Sequence, residues 1–487
     1  MVNKFRFFSL LGALLFVSFA HAQTATLNWG ATYQTMDGFG AQDWASANSL
    51  TSAQAAMFFS PSTGIGLAIV RTALQGCPET GSCTVSTANV PDLVTLKEAV
   101  ANGAQIEINI DPPGNLQYAG DRYNGTPDPS TGNCIDSSNW SAFATFTVDW
   151  IEMLNANSAP VSILSVANEP NEDMPYYQLG HCTWTAAGLD SYIGGTLGPA
   201  MAAAGLSGVK IMMPEASSWF NYVDLSSTCL NDSTCAQYVS IVAGHGYDDA
   251  GAYYANNYCC ATVSAYSLGT ASGRHLWQSE VNGGFSYNSA AGLWNWDPSM
   301  ADGLEVARMI NDYLTIANVS GWEWWELADC NNVCAGGTGT PLNDGLTEAN
   351  LTTTSARMYV IGQWSKFVRP GWVRIDATNN PTSGVYVTAF KDPSGTGNFA
   401  IIATNQNASN TNMTFNFSGV TVNSATPWVT SASLNLVEQT GVQVTNNTFN
   451  IALPAQSVTT FVGTAASNLP PAPTITCISV NSGCPND

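Results

Sequence analysis

Between residues 36 and 357, short runs of β-branched and other apolar residues alternate with longer segments that carry apolar residues at helical spacing. The strand-like runs include 67–70, 106–110, 161–166, 209–213, 240–243 and 274–278, and the helix-like segments include 140–155 and 300–317. Such alternation is typical of parallel strands joined by helical crossovers, because parallel neighbours cannot be joined by a tight turn. It constrains the fold more than any other feature of the sequence.

The number of strands follows from the spacing of these runs. From the run at 36–40 to the run at 321–325 is about 285 residues, and seven βα steps across that distance give roughly 40 residues each, as in a (β/α)8 barrel with inserted loops. A doubly wound sheet would need a nucleotide-binding Gly-rich turn after the first strand, and none is present. The sequence therefore predicts an α/β fold, with a (β/α)8 TIM barrel over residues 36–357.

The pattern changes after residue 358 to period two with frequent Asn, Gly and Ser turns, as in 384–390, 398–403, 413–417 and 457–462. This change predicts an attached antiparallel β-sandwich domain over residues 358–466. The alternating run within 23–35 lies outside the barrel, and we expect it to add an N-terminal strand to the sandwich. Residues 467–487 form a Pro-rich tail with Cys477 and Cys484.

The first 22 residues have the features of a signal peptide. Lys4 and Arg6 precede an apolar run over 7–19, which ends at the small-x-small site of residues 20–22. Without these residues the chain has 11 basic and 35 acidic residues, a net charge of −24. A charge of that sign repels nucleic acid and anionic membranes. We therefore expect a secreted, extracellular and monomeric protein whose partner is a neutral polysaccharide, with no nucleic-acid or membrane partner.

The twelve cysteines form an even set, as expected for disulfides in an oxidising compartment. Four pairs are close in sequence and are predicted to close loops: Cys77 with Cys83, Cys229 with Cys235, Cys330 with Cys334, and Cys477 with Cys484. The pairing of Cys134, Cys182, Cys259 and Cys260 stays open. Because the spacings do not repeat as CxxC pairs and there are only 4 His residues, we predict no metal site and no cofactor.

Two glutamates follow predicted barrel strands at a regular distance. Glu169 follows the run at 161–166, Glu280 follows the run at 274–278, and the 111 residues between them equal three βα units of 37. They are thus predicted at the ends of strands 4 and 7, at the mouth where active sites of this fold lie. Two such carboxyls supply the acid and the nucleophile of a glycosidase, and a separation of roughly 5–5.5 Å implies retention. Glu215 is an alternative candidate for the second carboxyl, but on the predicted strand 5 it would face Glu169 less well. Asp248 is the next alternative.

Several motifs together resemble glycoside hydrolase family 30, which belongs to a clan of (β/α)8-barrel retaining glycosidases. They are Phe39-Gly40, Gly64-Ile65-Gly66, Val70-Arg71, Asn168-Glu169-Pro170, Cys182-Thr183-Trp184-Thr185, Pro214-Glu215, Ser279-Glu280 and the ten residues 362–371. The resemblance implies that Glu169 is the acid/base and Glu280 the nucleophile. It also implies that Asn168 binds the sugar hydroxyl next to the reacting carbon and that Arg71 keeps Glu280 ionised.

Further substrate contacts are expected at strand ends and in loops. His245 and Tyr247, at the end of strand 6, are predicted to touch the nucleophile or the sugar. Alternation turns Trp322 and Trp324 one way and Trp325 the other, so Trp325 is predicted to stack on a sugar. Loop aromatics are also subsite candidates: Trp44 above all, with Trp184, Trp294 and Trp296.

The resemblance implies an endo-hydrolase of a cell-wall polysaccharide, most of all an endo-β-1,4-xylanase. Alternatives are a β-1,6-glucanase or galactanase, a glucosylceramidase-like β-glucosidase, and a carbohydrate-binding barrel without turnover. Family members that require a glucuronic acid branch bind it with arginine after strand 8. Residues 325–334 contain Glu326 and Asp329 and no base, so we expect cleavage that does not require glucuronic acid branches. Arg122 or Arg274, reaching in from another loop, is the competing hypothesis.

Overall fold

The structure is a computed structural model that describes residues 23–43, 50–74, 83–110, 112–116, 132–171, 182–219, 221–247, 263–282, 287–288, 293–294, 296–329 and 345–466. The predicted signal peptide and the predicted tail lie outside the described residues. So do Trp44, Arg122 and Asp248, together with seven cysteines: Cys77, Cys259, Cys260, Cys330, Cys334 and the tail pair Cys477 and Cys484.

Eight parallel strands close into a barrel, which confirms the predicted fold class. They are β2 (Gly38–Gln42), β3 (Ile69–Leu74), β4 (Gln105–Ile110), β5 (Val161–Ser165), β6 (Lys210–Ser218), β7 (Val239–Tyr247), β8 (His275–Gln278) and β11 (Gly321–Trp324), and β11 closes the barrel against β2. The short strands β9 (Tyr287–Asn288) and β10 (Leu293–Trp294) pair with each other in the segment that follows β8.

Helices connect the barrel strands. They are α1 (Ser52–Phe59), α2 (Leu93–Ala101), α3 (Trp140–Ala156), α4 (Ala186–Tyr192), α5 (Gly198–Ala203), α6 (Asn221–Asn231), α7 (Ser233–Ala236), α8 (Ser267–Ala271), α9 (Met300–Asp312) and α10 (Ala356–Ser365). Single π-helical turns follow α4 and α9. The period-3.6 pattern places the buried face of α3 against the strands, with Phe143, Trp150 and Leu154 in the core.

Side chains of different sizes fill the barrel interior in layers. One apolar cluster, separate from the main core, contains Ile69, Ile163, Met212, Ile241, Ala243 and Trp277. Gly321 lies beside Trp277, where a Cβ atom would come within 2.3 Å of the indole. Gly40 likewise faces Glu323, whose carboxyl oxygen would lie 2.7 Å from a Cβ atom. The glycines of β2 and β11 therefore make room for two large inward-facing side chains.

The second domain is a β-sheet of eleven strands that curls over its own core. Its strands are β1 (Gln23–Thr35), β12 (Val373–Ala377), β13 (Val385–Lys391), β14 (Asn398–Asn405), β15 (Thr411–Ser418), β16 (Thr421–Val422), β17 (Ser424–Ser431), β18 (Leu434–Glu438), β19 (Val442–Gln443), β20 (Thr448–Leu453) and β21 (Ser457–Ala466). Phe415, Phe449 and Phe461 meet in this core with ring centroids 5.0–5.2 Å apart. The pairing is antiparallel except that β1 runs parallel to β15.

Two segments join the sandwich to the barrel. Strand β1 precedes the barrel in sequence and pairs with β12 and β15. Helix α10 spans the predicted boundary at 357/358 and packs on both domains: Trp364 Nε1 donates to Thr388 at 3.1 Å, and Gln363 Nε2 donates to Thr430 at 2.8 Å. Lys366 Nζ donates to carbonyls of the 61–64 turn of the barrel. The sequence boundary was placed where apolar periodicity changes, whereas the helix continues across it.

Two disulfides are formed within the described part of the chain. Cys229 and Cys235 pair as their spacing predicts, and Cys134 pairs with Cys182, which settles two of the four open cysteines. Cys83 is also disulfide-bonded. Within the described ranges, the structure contains no helix with the length and apolar character needed to span a membrane.

Candidate active site

The polar residues singled out in the sequence meet at the carboxyl ends of the barrel strands. Glu169 follows β5, the fourth barrel strand, and Glu280 follows β8, the seventh, as the spacing predicts. Both carboxyls reach His245 at the end of β7: its Nδ1 lies 2.9 Å from Glu169 Oε1 and 3.7 Å from Glu280 Oε1. One carboxylate oxygen of each glutamate and a ring nitrogen of His245 lie within 4.8 Å of one another.

Arg71 on β3 is the hub of the site and is only 2% exposed. Its Nη1 donates to Glu280 Oε2 and, at 3.2 Å, to Gln42 Oε1. Its Nη2 donates to Asn168 Oδ1 at 2.7 Å and to Glu215 Oε2 at 3.1 Å. The planar guanidinium thus holds Glu280, Asn168 and Glu215 in fixed relative positions, which a single ammonium group cannot do.

Two more residues fix the carboxyl of Glu280 and the position of His245. Tyr247 donates its hydroxyl to Glu280 Oε1 at 3.1 Å, so both oxygens of Glu280 accept a hydrogen bond. Glu215 is fully buried beneath His245, with its Oε2 atom 3.8 Å from Nε2. Ser165 also donates to that oxygen at 3.1 Å. Glu215 is therefore a buried supporting residue rather than a carboxylate that faces Glu169 across the mouth.

The buried charges of the site shift one another's pKa values. Burial alone lowers the pKa of His245, but Glu280, Glu169 and Glu215 surround the ring and raise it to about 10. Burial alone raises the pKa of Glu215, but Arg71 and His245 lower it to about 2. His245 is therefore a cation and Glu215 an anion at neutral pH. Because a metal ligand must be a neutral imidazole, this protonation state opposes metal binding by the three residues.

The backbone is also unusual where the site forms. Glu169 has φ of 46° and Glu215 has φ of 61°, both in the left-handed region. The two residues are linked by a hydrogen bond from Glu169 N to Glu215 O at 2.8 Å. Non-glycine residues in this region are uncommon and concentrate at functional sites, where the surrounding contacts hold them.

The structure brings together six of the eight residues predicted for the site. Glu169, Glu280, Asn168, Arg71, His245 and Tyr247 form one connected cluster. Trp325 follows β11 beside them and is partly exposed, and its backbone N–H donates to Val281 O at 2.9 Å. Trp322 and Trp324 are buried, in agreement with the alternation argument.

Three expectations about loop residues are wrong. Trp184 is 3% exposed and stacks on Tyr192 with ring centroids 5.0 Å apart, so it is a core residue and not a subsite. Glu326 and Asp329 are buried, so they do not present charge to a substrate. Arg274 precedes β8 at the opposite end of the barrel and donates to Ala236 O at 2.6 Å. The sequence pattern does not indicate whether a loop residue is buried, as Trp184, Glu326 and Asp329 are. It also does not indicate at which end of the barrel an isolated residue such as Arg274 lies.

Two charged residues of the barrel interior were missed. Glu107 on β4 and Glu323 on β11 are both fully buried, and Glu107 Oε1 lies 3.3 Å from Arg71 Nε. The signal was present in the alternation of Ile106-Glu107-Ile108 and Trp322-Glu323-Trp324, where the apolar neighbours face the helices and the acid faces inward.

Comparisons with known proteins agree with this geometry. The sequence model described as O-Glycosyl hydrolase family 30 matches residues 94–336. Glucuronoxylanase XynC of Bacillus subtilis is 28% identical over 447 residues, 91% of this chain and 92% of the relative. The structure of the family 30 subfamily 8 xylanase Xyn30A from Clostridium acetobutylicum has a TM-score of 0.71 and 28% identity, and covers 91% of this chain and 100% of that one. Putative glucosylceramidase 1 of Caenorhabditis elegans is 26% identical over 52% of this chain and 47% of the relative.

The closed barrel, the attached sandwich and the family match define the class of the protein, which is a retaining glycoside hydrolase. The chain belongs to glycoside hydrolase family 30.

Proposed function

We propose that this protein is a secreted endo-β-1,4-xylanase in which Glu280 is the nucleophile and Glu169 the general acid/base. The observation that carries the assignment is the approach of one oxygen of each carboxyl to within 4.8 Å. Carboxyls about 5–5.5 Å apart leave no room for a water molecule between them and the sugar, so the first displacement is made by a carboxylate of the protein.

The contacts of each glutamate match its proposed task. Glu280 would attack the anomeric carbon, and Arg71 and Tyr247 hold its carboxyl in one orientation for that attack. Glu169 would protonate the leaving oxygen and then deprotonate the water that cleaves the glycosyl-enzyme. Asn168 is fixed by Arg71 through its Oδ1, which leaves its Nδ2 donor for the sugar hydroxyl beside the anomeric carbon. His245 orients Glu169 through the 2.9 Å contact.

Xylan is supported as the substrate by relatives that cover most of this chain. The relative that matches 91% of this chain is named a glucuronoxylanase, and the structure with a TM-score of 0.71 is a xylanase. Export is supported by the basic, apolar and small-residue order of residues 1–22. Assay of the purified protein on xylan, β-1,6-glucan, β-1,6-galactan and a β-glucosylceramide separates the proposal from its alternatives within the family.

We further propose that cleavage does not require a glucuronic acid branch. The sequence contains 13 Lys and Arg residues. Among the described ones, Arg71 lies at the barrel mouth, and it already donates hydrogen bonds to Glu280, Asn168 and Glu215. Arg357, the first base after β11, is fully buried and pairs with Asp302 at 3.0 Å. Only Arg122, outside the described residues, remains as a competing partner for a uronate.

Product mapping tests this point. We expect arabinoxylan and unbranched xylan to be cut at least as well as glucuronoxylan, and Arg122→Ala to leave that preference unchanged. A ladder in which every fragment carries a uronic acid at a fixed distance from its reducing end would show that the branch is required.

Substitution of the glutamates tests the roles. Glu280→Ala should abolish turnover, and azide should partly restore it with inverted product, because the small anion enters the vacated space. Glu169→Ala should keep activity only on substrates with activated leaving groups. Wild-type activity in Glu280→Ala together with loss of activity in Glu215→Ala would show that the assignment is wrong.

A further inference from the structure

Directly below the active site, the barrel encloses a pair of carboxyl groups that the proposed reaction does not use. Glu107 on β4 and Glu323 on β11 are both 0% exposed and hydrogen-bond to each other across the interior. Gly40 leaves the space that the Glu323 carboxyl occupies. Two acids directed into the interior of a barrel are costly unless each is neutralised or paired.

The surroundings of this pair favour its protonated form. Among the described residues, none of the four carboxyl oxygens accepts a hydrogen bond from an N–H group or a hydroxyl, and the nearest cation is the Arg71 Nε atom at 3.3 Å from Glu107. The remaining contact is between the two carboxyls, and it is a hydrogen bond only when one of them is protonated. Two ionised carboxylates in contact would repel each other strongly in a fully buried site.

The charged groups that face the pair are Arg71 on β3, Glu215 on β6 and Glu280 after β8. His245 on β7 faces Glu215 and Glu280 in turn. Arg71 and His245 are cations that face the carboxylates of Glu215 and Glu280. Ionisation of both Glu107 and Glu323 would add two negative charges beneath Arg71, which already faces Glu215 and Glu280.

We propose that Glu107 and Glu323 both remain protonated beneath Arg71 and thereby position Arg71 against Glu280. While the pair is neutral, Glu107 is a weak partner of Arg71 Nε, and the positive charge is directed towards Glu215 and Glu280. When Glu323 loses its proton, the negative charge on the pair competes for the Arg71 guanidinium and weakens its contact with Glu280. Glu107 and Glu323 are therefore positioning residues, and this role rests on the proposed role of Glu280 as nucleophile.

The electrostatic environment agrees with this geometry. Burial raises the pKa of Glu323 to about 8, and Arg71 offsets only part of that effect. Burial, with Glu323 and Glu215 nearby, also raises the pKa of Glu107 well above its usual value. The pair therefore begins to lose protons as the pH rises through about 8.

The test is the pH profile of kcat/KM for wild type, Glu323→Gln and the control Glu152→Gln, measured with 4-nitrophenyl β-xylobioside. Its leaving group needs no protonation, so titration of Glu169 does not shape the profile. We expect wild-type kcat/KM to fall as the pH rises through about 8, because that is where Glu323 ionises. Gln imitates the protonated acid at every pH, so Glu323→Gln should shift this fall upward by at least about one pH unit. Glu152 is an exposed residue of α3, and Glu152→Gln should match the wild type.

An active Glu323→Gln enzyme whose profile superimposes on that of the wild type would overturn the inference. A second measurement uses the wild type alone: the infrared carbonyl band of a protonated carboxyl should be present at pH 7 and should decline as the pH rises through about 8. Absence of that band from the wild type would also overturn it. Failure of the proposed function would instead appear as wild-type activity in Glu280→Ala.

Discussion

Replacement of Arg71 by methionine is the perturbation whose cost can be worked out most fully from the structure. Methionine keeps most of the volume and removes the charge, so Glu215 loses its 3.1 Å partner and Glu280 loses its Nη1 contact. Breaking a buried ion pair by removal of one partner costs about 3–5 kcal/mol. The pKa of Glu215 gives a figure of the same order: against the effect of burial, Arg71 and His245 together lower it from 4.5 to about 2, which favours the ionised form by about 3 kcal/mol at about 1.4 kcal/mol for each pH unit.

Both estimates predict that Arg71→Met lowers the free energy of unfolding by about 3–5 kcal/mol at pH 6. Urea denaturation followed by tryptophan fluorescence measures this change. The matched control is Arg308→Met, which removes a partly exposed pair with Asp312 at 2.9 Å and a stacking contact on Tyr386. The control should cost only about 1 kcal/mol.

A double variant separates the charge effect from a packing effect. In the Arg71→Met background, Glu215→Gln should recover part of the lost stability, because no unpaired carboxylate then remains at that position. The reasoning is refuted if Arg71→Met is no more destabilising than Arg308→Met, or if Glu215→Gln adds its full cost to that of Arg71→Met.

Three further outcomes are expected. Cys134→Ser should cost about 4 kcal/mol and Cys229→Ser about 2 kcal/mol in denaturation experiments, because their disulfides span 48 and 6 residues, respectively, and a longer loop restricts the unfolded chain more; equal costs would contradict this. A chain that ends at residue 357 should be insoluble or unstable, because it exposes the surface that α10 and the sandwich cover; a stable, active barrel in solubility and activity assays would argue against it. The free energy of unfolding should be greatest at about pH 5. As the pH falls from 4.5 towards 2, the protein loses the stability that ionised Glu215 contributes. As the pH rises from 4.5 to about 8, stability falls again, because the unfolded chain releases a proton that Glu323 keeps in the folded protein. A stability that rises between pH 5 and 8 would contradict this sign.

The barrel could be predicted because its strands are buried on both faces and their apolar runs stand out from the surrounding sequence. The predicted bounds fail where those runs become polar. The fifth strand was expected to end at residue 213 but continues to Ser218, and the sixth was expected to end at 243 but continues to Tyr247. These extensions contain Glu215 and His245. Residues that build a site interrupt the apolar pattern, so the strand bounds are hardest to predict where the site lies.

The positions of Glu169 and Glu280 could be predicted because their spacing of 111 residues equals three βα units, which places them three strands apart around the barrel. The contacts of Arg71 could not be predicted, because its partners lie on five barrel elements other than its own strand. The Glu107–Glu323 pair lies across the barrel interior from strand to strand, and sequence distance contains no information about that approach. Burial of Glu326 and Asp329 after β11 could not be predicted from the sequence pattern either, because acidic residues in a loop are usually exposed.

Covalent labelling tests the assignment of the nucleophile most directly. A 2-deoxy-2-fluoro xylobioside with a dinitrophenolate leaving group should inactivate the enzyme, because the fluorine slows both displacements while the leaving group permits the first. Peptide mapping by mass spectrometry should then find one sugar attached to Glu280, and Glu280→Ala should remain unlabelled. Attachment of the sugar to Glu215 or Glu169 would contradict the proposed mechanism, as would turnover with inverted product and no labelled peptide.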